Sequence, residues 1–417
     1  MKNFTLTNKS KKVLVGILAG AMVLASATAV SAAGFSGRYG ANKQSQMQTM
    51  GGMTAYTAKT NALSYSDLTG GIKTSEDLFS KRDLKQTADL SEAKAITVKD
   101  GQTITVTEEG VYVLSGTAAN CTVKIEADKE AKIQLVLDGV TITNDDFPTV
   151  YVVSADKVFV TTTEGSENTL TVTGSFKADG DTNTDAVIYS KEDLVLNGKG
   201  TLTVVSAKGN GITSKDDLKV TGGTLSITSA LDALEANDSI VIYNGTITLN
   251  SQKDGLHAEN EDDDSLGYIW IGGGTLKISA KSDGIQGTSF VQIDGGTITV
   301  SASEGIEGTY IQIGGGTLNV TGSDDGINAS NKSSAYETAI EIAGGEITVA
   351  VGQGDTDAID SNGNIYVSGG TVNVTSAMSS FDYDGTAAYT GGTIIVNGVT
   401  QTGIPSGQMM GGFGGRR

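Results

Sequence analysis

A six-residue phrase, Gly-Gly-Thr-apolar-x-apolar, returns along the chain at residues 222–227, 273–278, 295–300 and 315–320, with variants at Glu346, Thr371 and Thr393. The residues that follow the glycine pair, 201, 224, 246, 275, 297, 317, 346, 371 and 393, are 23, 22, 29, 22, 20, 29, 25 and 22 residues apart. A fixed period near 22 residues, interrupted by occasional inserted loops, points to a stacked repeat architecture.

Each period holds three short runs: an Asp-Gly-Ile phrase, a second run such as Ile269-Trp270-Ile271, and the Thr-Leu-x-Val run after the glycines. Alternation of period two with β-branched residues reads as strand, and no segment sustains a helical period. A unit this small cannot bury its apolar face alone. Stacking in register buries a continuous column and lets neighbouring units satisfy one another's backbone groups. The expected fold is therefore all-β: a right-handed parallel β-helix, or solenoid, with coils of about 22 residues and three short strands per coil.

Equivalent positions then lie above one another. One inner column is expected to run Leu225, Ile247, Leu276, Ile298, Leu318, Ile347, Val372 and Ile394. A second runs Ile212, Leu234, Leu256, Ile285, Ile306, Ile327 and Ile359. Residues 96–176 alternate less regularly, and residues 78–180 are assigned to the cap and first coils of a domain spanning 78–398. Cys121 alternates with Val123 and Ile125 and reads as a small buried hydrophobe.

Glycine is abundant, at 56 of 417 residues, and proline nearly absent, at 2, so the glycines mark turns and not linkers or collagen. Lys and Arg number 29 against 48 Asp and Glu, a net charge of −19 that repels nucleic-acid phosphates. One Cys and one His leave no disulfide framework and too few ligands for a Cys/His zinc site. Chemistry must run on carboxylates, amides, lysines or hard cations.

Residues 1–33 read as a secretory signal peptide: Lys2, Lys9, Lys11 and Lys12, an apolar run from Val13 to Leu24, then small residues ending at Ala33. Its loss takes the charge to −23 and implies export, with non-covalent attachment to the cell surface as the alternative to free secretion. No second apolar stretch long enough to span a membrane follows. Residues 34–77, poor in apolar periodicity, are expected to be a flexible leader, and residues 399–417 a Gly/Met-rich tail.

Two polar columns flank the Asp-Gly-Ile isoleucines. The first reads Asp232, Asp254, Asp283, Glu304, Asp325, Asp357 and Asp382; the second reads Glu235, His257, Gln286, Glu307, Asn328 and Asp360. Carboxylates stacked one coil apart repel, more strongly as the local dielectric falls, and rows of hard oxygen ligands are what Ca²⁺ prefers. The candidate calcium ligands are Asp232, Glu235, Asp254, Asp283, Glu304, Glu307, Asp325, Asn328, Asp357 and Asp360. The alternative is that these residues cap the backbone of their own turns. Asp355-Thr-Asp357-Ala-Ile-Asp360 offers three close carboxylates. Asp181-Thr-Asn183-Thr-Asp185 with Glu192 has calcium-loop spacing, but Ala186 replaces the required glycine, which argues against an EF-hand. The run 259–264 (ENEDDD) reads as a solvated loop.

Parity on the second strand turns Ile269 and Ile271 inward and Tyr268 and Trp270 outward, with Phe290 and Tyr310 at the position of Tyr268 on the next coils. These four aromatics are the candidate sugar-binding row, since flat rings stack on sugar faces. The alternative is that an inserted loop, such as 256–267, folds over them.

Together the Asp-Gly-Ile and Gly-Gly-Thr-Leu rungs, the entry stretch 81–90 (KRDLKQTADL) and residues 110–116 (GVYVLSG) resemble the secreted clostridial carbohydrate-binding domain-containing β-helix proteins. The resemblance covers about residues 78–398. It implies a polysaccharide-lyase-like scaffold that binds cellulose and acidic sugars such as polygalacturonate, with calcium held by carboxylates of the Asp-Gly-Ile phrases. The expected function is non-catalytic binding of plant cell-wall polysaccharide. The competitors are a calcium-dependent pectate lyase, for which Lys253 or Lys281 would be the base, a carboxylate-based glycoside hydrolase, and a structural or adhesive surface protein.

Overall fold

The computed structural model describes residues 63–65, 71–354 and 356–405. The expected signal peptide, most of the expected leader, Asp355 and the end of the expected tail lie outside the described residues. Within them the chain is all-β: 34 strands form one continuous, mostly parallel sheet, and the single α-helix is the four-residue Ser75–Leu78.

Away from the two ends of the sheet, a strand lies between its equivalents in the preceding and following repeats. Thr224–Ser229 pairs in parallel with Thr201–Ser206 on one side and with Thr246–Ser251 on the other. The registers Leu225↔Ile247, Ile247↔Leu276, Leu276↔Ile298, Ile298↔Leu318, Leu318↔Ile347, Ile347↔Val372 and Val372↔Ile394 reproduce the first expected column residue by residue. The second column pairs likewise from Ile212↔Leu234 to Ile327↔Ile359, then adds Phe381. Both columns are buried in one core with Cys121. Among the strands of the described residues, only Val399–Thr400 pairs antiparallel, folding back on Thr393–Val396 at the end of the stack; an isolated antiparallel bridge joins Asp179 and Thr182.

The two glycines of the repeated phrase serve different ends. A Cβ at Gly295 would stand 2.6 Å from the Gly272 carbonyl oxygen of the coil before, so the first glycine permits close stacking at the turn. Gly296 has φ +95°, a left-handed conformation that side-chain-bearing residues seldom adopt.

The two 29-residue periods carry insertions that meet each other. Ser333 Oγ donates to the Asp264 carbonyl at 2.5 Å, Ser334 N donates to Asp264 Oδ2 at 3.2 Å, and the Ser334 hydroxyl donates to the same carboxylate. The acidic loop is thus tied down at Asp264. Residues of the expected leader are also folded: Leu63 N donates to the Ala335 carbonyl at 2.8 Å, and Ile72 packs on the flank of the stack, followed by Leu78, Phe79 and Leu84 from the first residues of the expected domain. Spaced apolar residues in 72–84 supply the driving force, which the polar bias of the wider segment concealed.

Candidate functional site

The aspartates of the repeat build a ladder. Asn210 Oδ1 accepts the Asp232 N–H at 3.0 Å, Asp232 Oδ1 accepts that of Asp254 at 2.9 Å, and Asp254 Oδ1 accepts that of Asp283 at 3.0 Å. Asp325 Oδ1 accepts the Asp357 N–H at 2.9 Å. One oxygen of each of these carboxylates therefore satisfies a backbone donor on the next coil. The second column is aligned by Glu235↔His257, His257↔Gln286, Gln286↔Glu307, Glu307↔Asn328 and Asn328↔Asp360. Asp382 belongs to this column and not the first, because it pairs with Asp360 while Asp357 pairs with Ser379. Phe381 takes the isoleucine position there, which shifts the phrase from where the sequence pattern placed it.

Among the described residues, two groups of three bring ligand atoms within 4.8 Å of one another: Asp232, Asp254 and His257, and Asp283, Glu304 and Glu307. The first is already neutralised. Lys253 Nζ lies 2.8 Å from Asp232 Oδ2 and 3.4 Å from Asp254 Oδ2, and His257 Nδ1 lies 3.4 Å from Asp232 Oδ2. Burial raises the Asp232 pKa, but hydrogen bonds and charge from His257 and Lys253 outweigh it and hold the group at about 2. Burial works against the charge of Lys253, yet its bonds to Asp232 and Asp254 keep its pKa above the ordinary lysine value. Beside this group Lys215, Glu235, His257, Glu259 and Asn260 line a polar cavity of about 340 Å³.

The second group is differently placed. Asp283 and Glu307 are buried, Glu304 half-buried, and Asp283 stands beside Glu304 in register. Glu307 accepts from Gln286 Nε2 at 3.0 Å and Ser330 Oγ at 2.9 Å, and Lys332 Nζ lies 2.8 Å from its Oε2. That ammonium pairs with Glu307, and it is the one ammonium in an ion pair with this group of three carboxylates among the described residues. Burial, then the charges of Asp254, Glu307 and Glu304, push the Asp283 pKa up to about 7; burial and Glu307 raise that of Glu304. Asn328, also buried, donates Nδ2 to Glu304 Oε2 at 3.0 Å, while its Oδ1 is buried without a hydrogen-bond partner. The three converging carboxylates form an all-oxygen donor set of the kind a hard divalent cation takes, and their chemistry fits calcium.

Further along, burial and the charges of Asp325, Asp357, Asp382 and Asp384 push Asp360 up to about 7. The calcium-loop-like phrase runs directly into the strand Ala186–Ser190 and has no helix after it, so it is not an EF-hand.

Parity places the aromatics of the second strand as expected, but they are covered. Trp270 is 3% exposed, Tyr268 7%, and Phe290 and Tyr310 0%. Phe79 packs against Trp270 with ring centroids 5.6 Å apart, Tyr336 meets Phe290 at 5.3 Å, and Leu266 joins the cluster. Trp270 Nε1 donates to Asp294 Oδ2 at 2.8 Å, and Tyr310 OH to Glu341 Oε2 at 2.8 Å. The expected open sugar-binding row of Tyr268, Trp270, Phe290 and Tyr310 is therefore corrected: both insertions and, chiefly, residues 72–84 close over it. Sequence reasoning missed that strap, as well as Asn210 at the foot of the ladder and Lys332. The one available signal was the apolar spacing of Ile72, Leu78, Phe79 and Leu84.

A model of the carbohydrate-binding domain-containing protein family matches residues 100–358 and 303–403. A carbohydrate-binding domain-containing protein of Acetivibrio thermocellus is 37% identical over 126 residues, which cover 30% of this chain and 44% of the relative. The match thus spans less than half of that relative's length. A solved structure described as the polysaccharide lyase-like protein from C. thermocellum, in a gadolinium derivative, aligns with a TM-score of 0.49 at 32% identity, over 54% of this chain and 95% of that one.

Proposed function

The chain belongs to the carbohydrate-binding domain-containing family, and from that premise we propose that it is a secreted, calcium-binding, non-catalytic protein that holds plant cell-wall polysaccharide, cellulose or polygalacturonate, on a right-handed parallel β-helix. The repeat register, in which every column advances by one coil, supports the solenoid. The observation that carries the calcium reading is the group Asp283, Glu304 and Glu307, three converging carboxylates with a single ammonium, Lys332, paired to Glu307. Those three residues would hold the ion, with the unsatisfied Asn328 Oδ1 on the neighbouring amide. Bound there, calcium offsets the repulsion within the acidic column and supplies a positive centre for uronate carboxylates that a chain of charge −19 otherwise repels. Asp232 and Asp254 are better read as satisfied by Lys253.

A lyase needs a basic side chain able to accept a proton near the ion. Lys253 is held protonated by two aspartates, which supports binding over catalysis. The test mixes protein with polygalacturonate and with cellulose, in Ca²⁺ or EDTA, and follows both retention and the ultraviolet absorbance of unsaturated uronides. Calcium-dependent retention on polygalacturonate with flat absorbance is expected. A calcium-dependent rise lost in Lys281→Ala would make this a lyase; no retention on either polymer would overturn the carbohydrate-binding reading.

A further inference from the structure

Tyr243 is unlike the buried aromatics beside it. Its ring is 40% exposed, yet it is braced on one side by Phe79, with centroids 5.4 Å apart at 69°. An exposed ring fixed by an edge-to-face contact loses little freedom when something flat settles on it. Tyr243 sits at the turn after Ser239–Ile242, where register places Thr221 on the coil before and Gly272 on the coil after. The Trp270 indole lies over Gly272 and the Gln86 amide over Gly222, so those two side chains flank the ring, and Asn244 stands where the coil before has the first glycine of the repeated phrase.

Two adjoining clefts meet at this residue. One, of about 540 Å³, runs past Lys73, Ser75, Trp270 and Asp294; the other, of about 390 Å³, runs past Gln86 and Thr221. Tyr243, Asn244 and Gly274 line both, so an occupant that fills the two must cross the Tyr243 ring. Asn244 Oδ1 accepts the Gly245 N–H at 2.8 Å, which leaves its amide Nδ2 without a partner among the described residues. The clefts hold a mixture of hydroxyl, amide and charged groups around one exposed ring, with Glu76 and Asp294 set against Lys73. That chemistry suits a polyol with apolar ring faces. A polyanion has no excess of positive charge to meet here, and a compact ligand would leave one cleft empty.

We propose that the ridge of Tyr243, flanked by Asn244 and the glycine turns, is the contact surface for a neutral β-linked glucan chain that lies across both clefts without calcium. This rests on the carbohydrate-binding reading and adds to it a site distinct from the acidic columns.

The experiment measures retention of the full chain on regenerated cellulose in EDTA, beside calcium-dependent retention on polygalacturonate, for wild type, Tyr243→Ala, Tyr243→Phe and Asn244→Ala. Tyr243→Ala is expected to lose on the order of tenfold in cellulose affinity, with Tyr243→Phe within about twofold of wild type and polygalacturonate binding unchanged in both. Fluorescence of Trp270, the single tryptophan, checks that the strap remains seated in each variant. Equal cellulose retention by wild type and Tyr243→Ala overturns the inference. Wild type that holds polygalacturonate but not cellulose also overturns it while leaving the carbohydrate-binding reading intact; wild type that holds neither removes both.

Discussion

Lys253 Nζ stands 2.8 Å from Asp232 Oδ2, so an ammonium of the chain itself neutralises the first rungs of the aspartate column, whereas one register further on Asp283, Glu304 and Glu307 share only Lys332. The same repeated phrase thus solves one electrostatic problem in two ways along its length. Where a lysine precedes the aspartate and reaches back, the rung is complete. Where the preceding residue is Ser282, and Lys281 makes no ion pair with the group among the described residues, three carboxylates meet the one ammonium of Lys332, and the proposed calcium would complete the rung.

Replacing Lys253 with alanine leaves two buried carboxylates, Asp232 and Asp254, without their main counter-charge. Because the lysine side chain is 44% exposed, the cost in metal-free protein is expected to be about 1–2 kcal/mol, below the range for a fully buried pair. Urea denaturation in EDTA measures it, and calcium should return part of the loss. A variant as stable as wild type in EDTA would show that solvent alone compensates Asp232.

Calcium is expected to raise the melting temperature of the wild type, since a ligand that binds only the folded state stabilises by about 2.7 kcal/mol at a hundredfold excess over Kd. The double variant Asp283→Asn with Glu307→Gln should start more stable in EDTA, its repulsion relieved, and gain nothing from calcium. Differential scanning calorimetry with and without Ca²⁺ reads both effects. An undiminished calcium gain in the variant would place the ion elsewhere.

The pH dependence of metal-free protein should carry the mark of His257. Burial lowers its pKa, but the hydrogen bond and charge of Asp232, with Asp254, outweigh that and raise it, while Lys253 opposes; Glu259 Oε2 faces its other nitrogen at 3.4 Å. A histidine whose folded pKa is raised adds stability that is complete below its unfolded value, about 6.5, and fades as pH rises through the folded one. The Asp232 carboxylate works in the opposite direction: its contribution is present above the ordinary aspartate value and is lost as pH falls toward about 2. His257→Gln should flatten the stability profile above about pH 6.5 in EDTA and leave the acid limb in place. A profile that falls as steeply in the variant would assign the slope to another group.

The core was legible because strand parity and a fixed period decide which side chain lies over which, and those two facts are local in sequence. Leu225 to Ile394 could be listed in order without any coordinates. The polar columns were legible for the same reason, up to Asp382, where Phe381 replaces isoleucine and the phrase no longer announces its register. Hydrogen bonds such as Asn210 to Asp232 were not legible, because a side chain's choice between capping a neighbouring coil and meeting an ion is not a matter of spacing. Nor was the strap: Phe79 meets Trp270, some 190 residues later in the chain, through shape and apolar area alone. The same contact explains why an outward parity did not make Trp270 an exposed residue.

Phe79 gives the sharpest test of that cover. It is buried against Trp270 and Tyr243, with Lys219 Nζ donating to the adjacent Leu78 carbonyl at 2.7 Å and lying 5.9 Å from the Phe79 ring. Gln292 fixes the other end of the strap by accepting the N–H groups of Ile72 and Lys73 at 3.0 and 2.8 Å. Phe79→Ala removes the apolar middle while leaving both polar anchors, so the cost should fall near the lower end of the usual Phe→Ala range, about 3 kcal/mol. Trp270 is the single tryptophan and carries the readout: its emission should shift to the red and become accessible to acrylamide, because the indole face loses its cover. The inner columns touch neither residue, so the far-ultraviolet spectrum should stay that of an intact sheet. If Trp270 emission were unchanged in Phe79→Ala, the anchors at Gln292 and Lys219 would be sufficient to hold the strap, and its apolar residues would merely fill space beneath it.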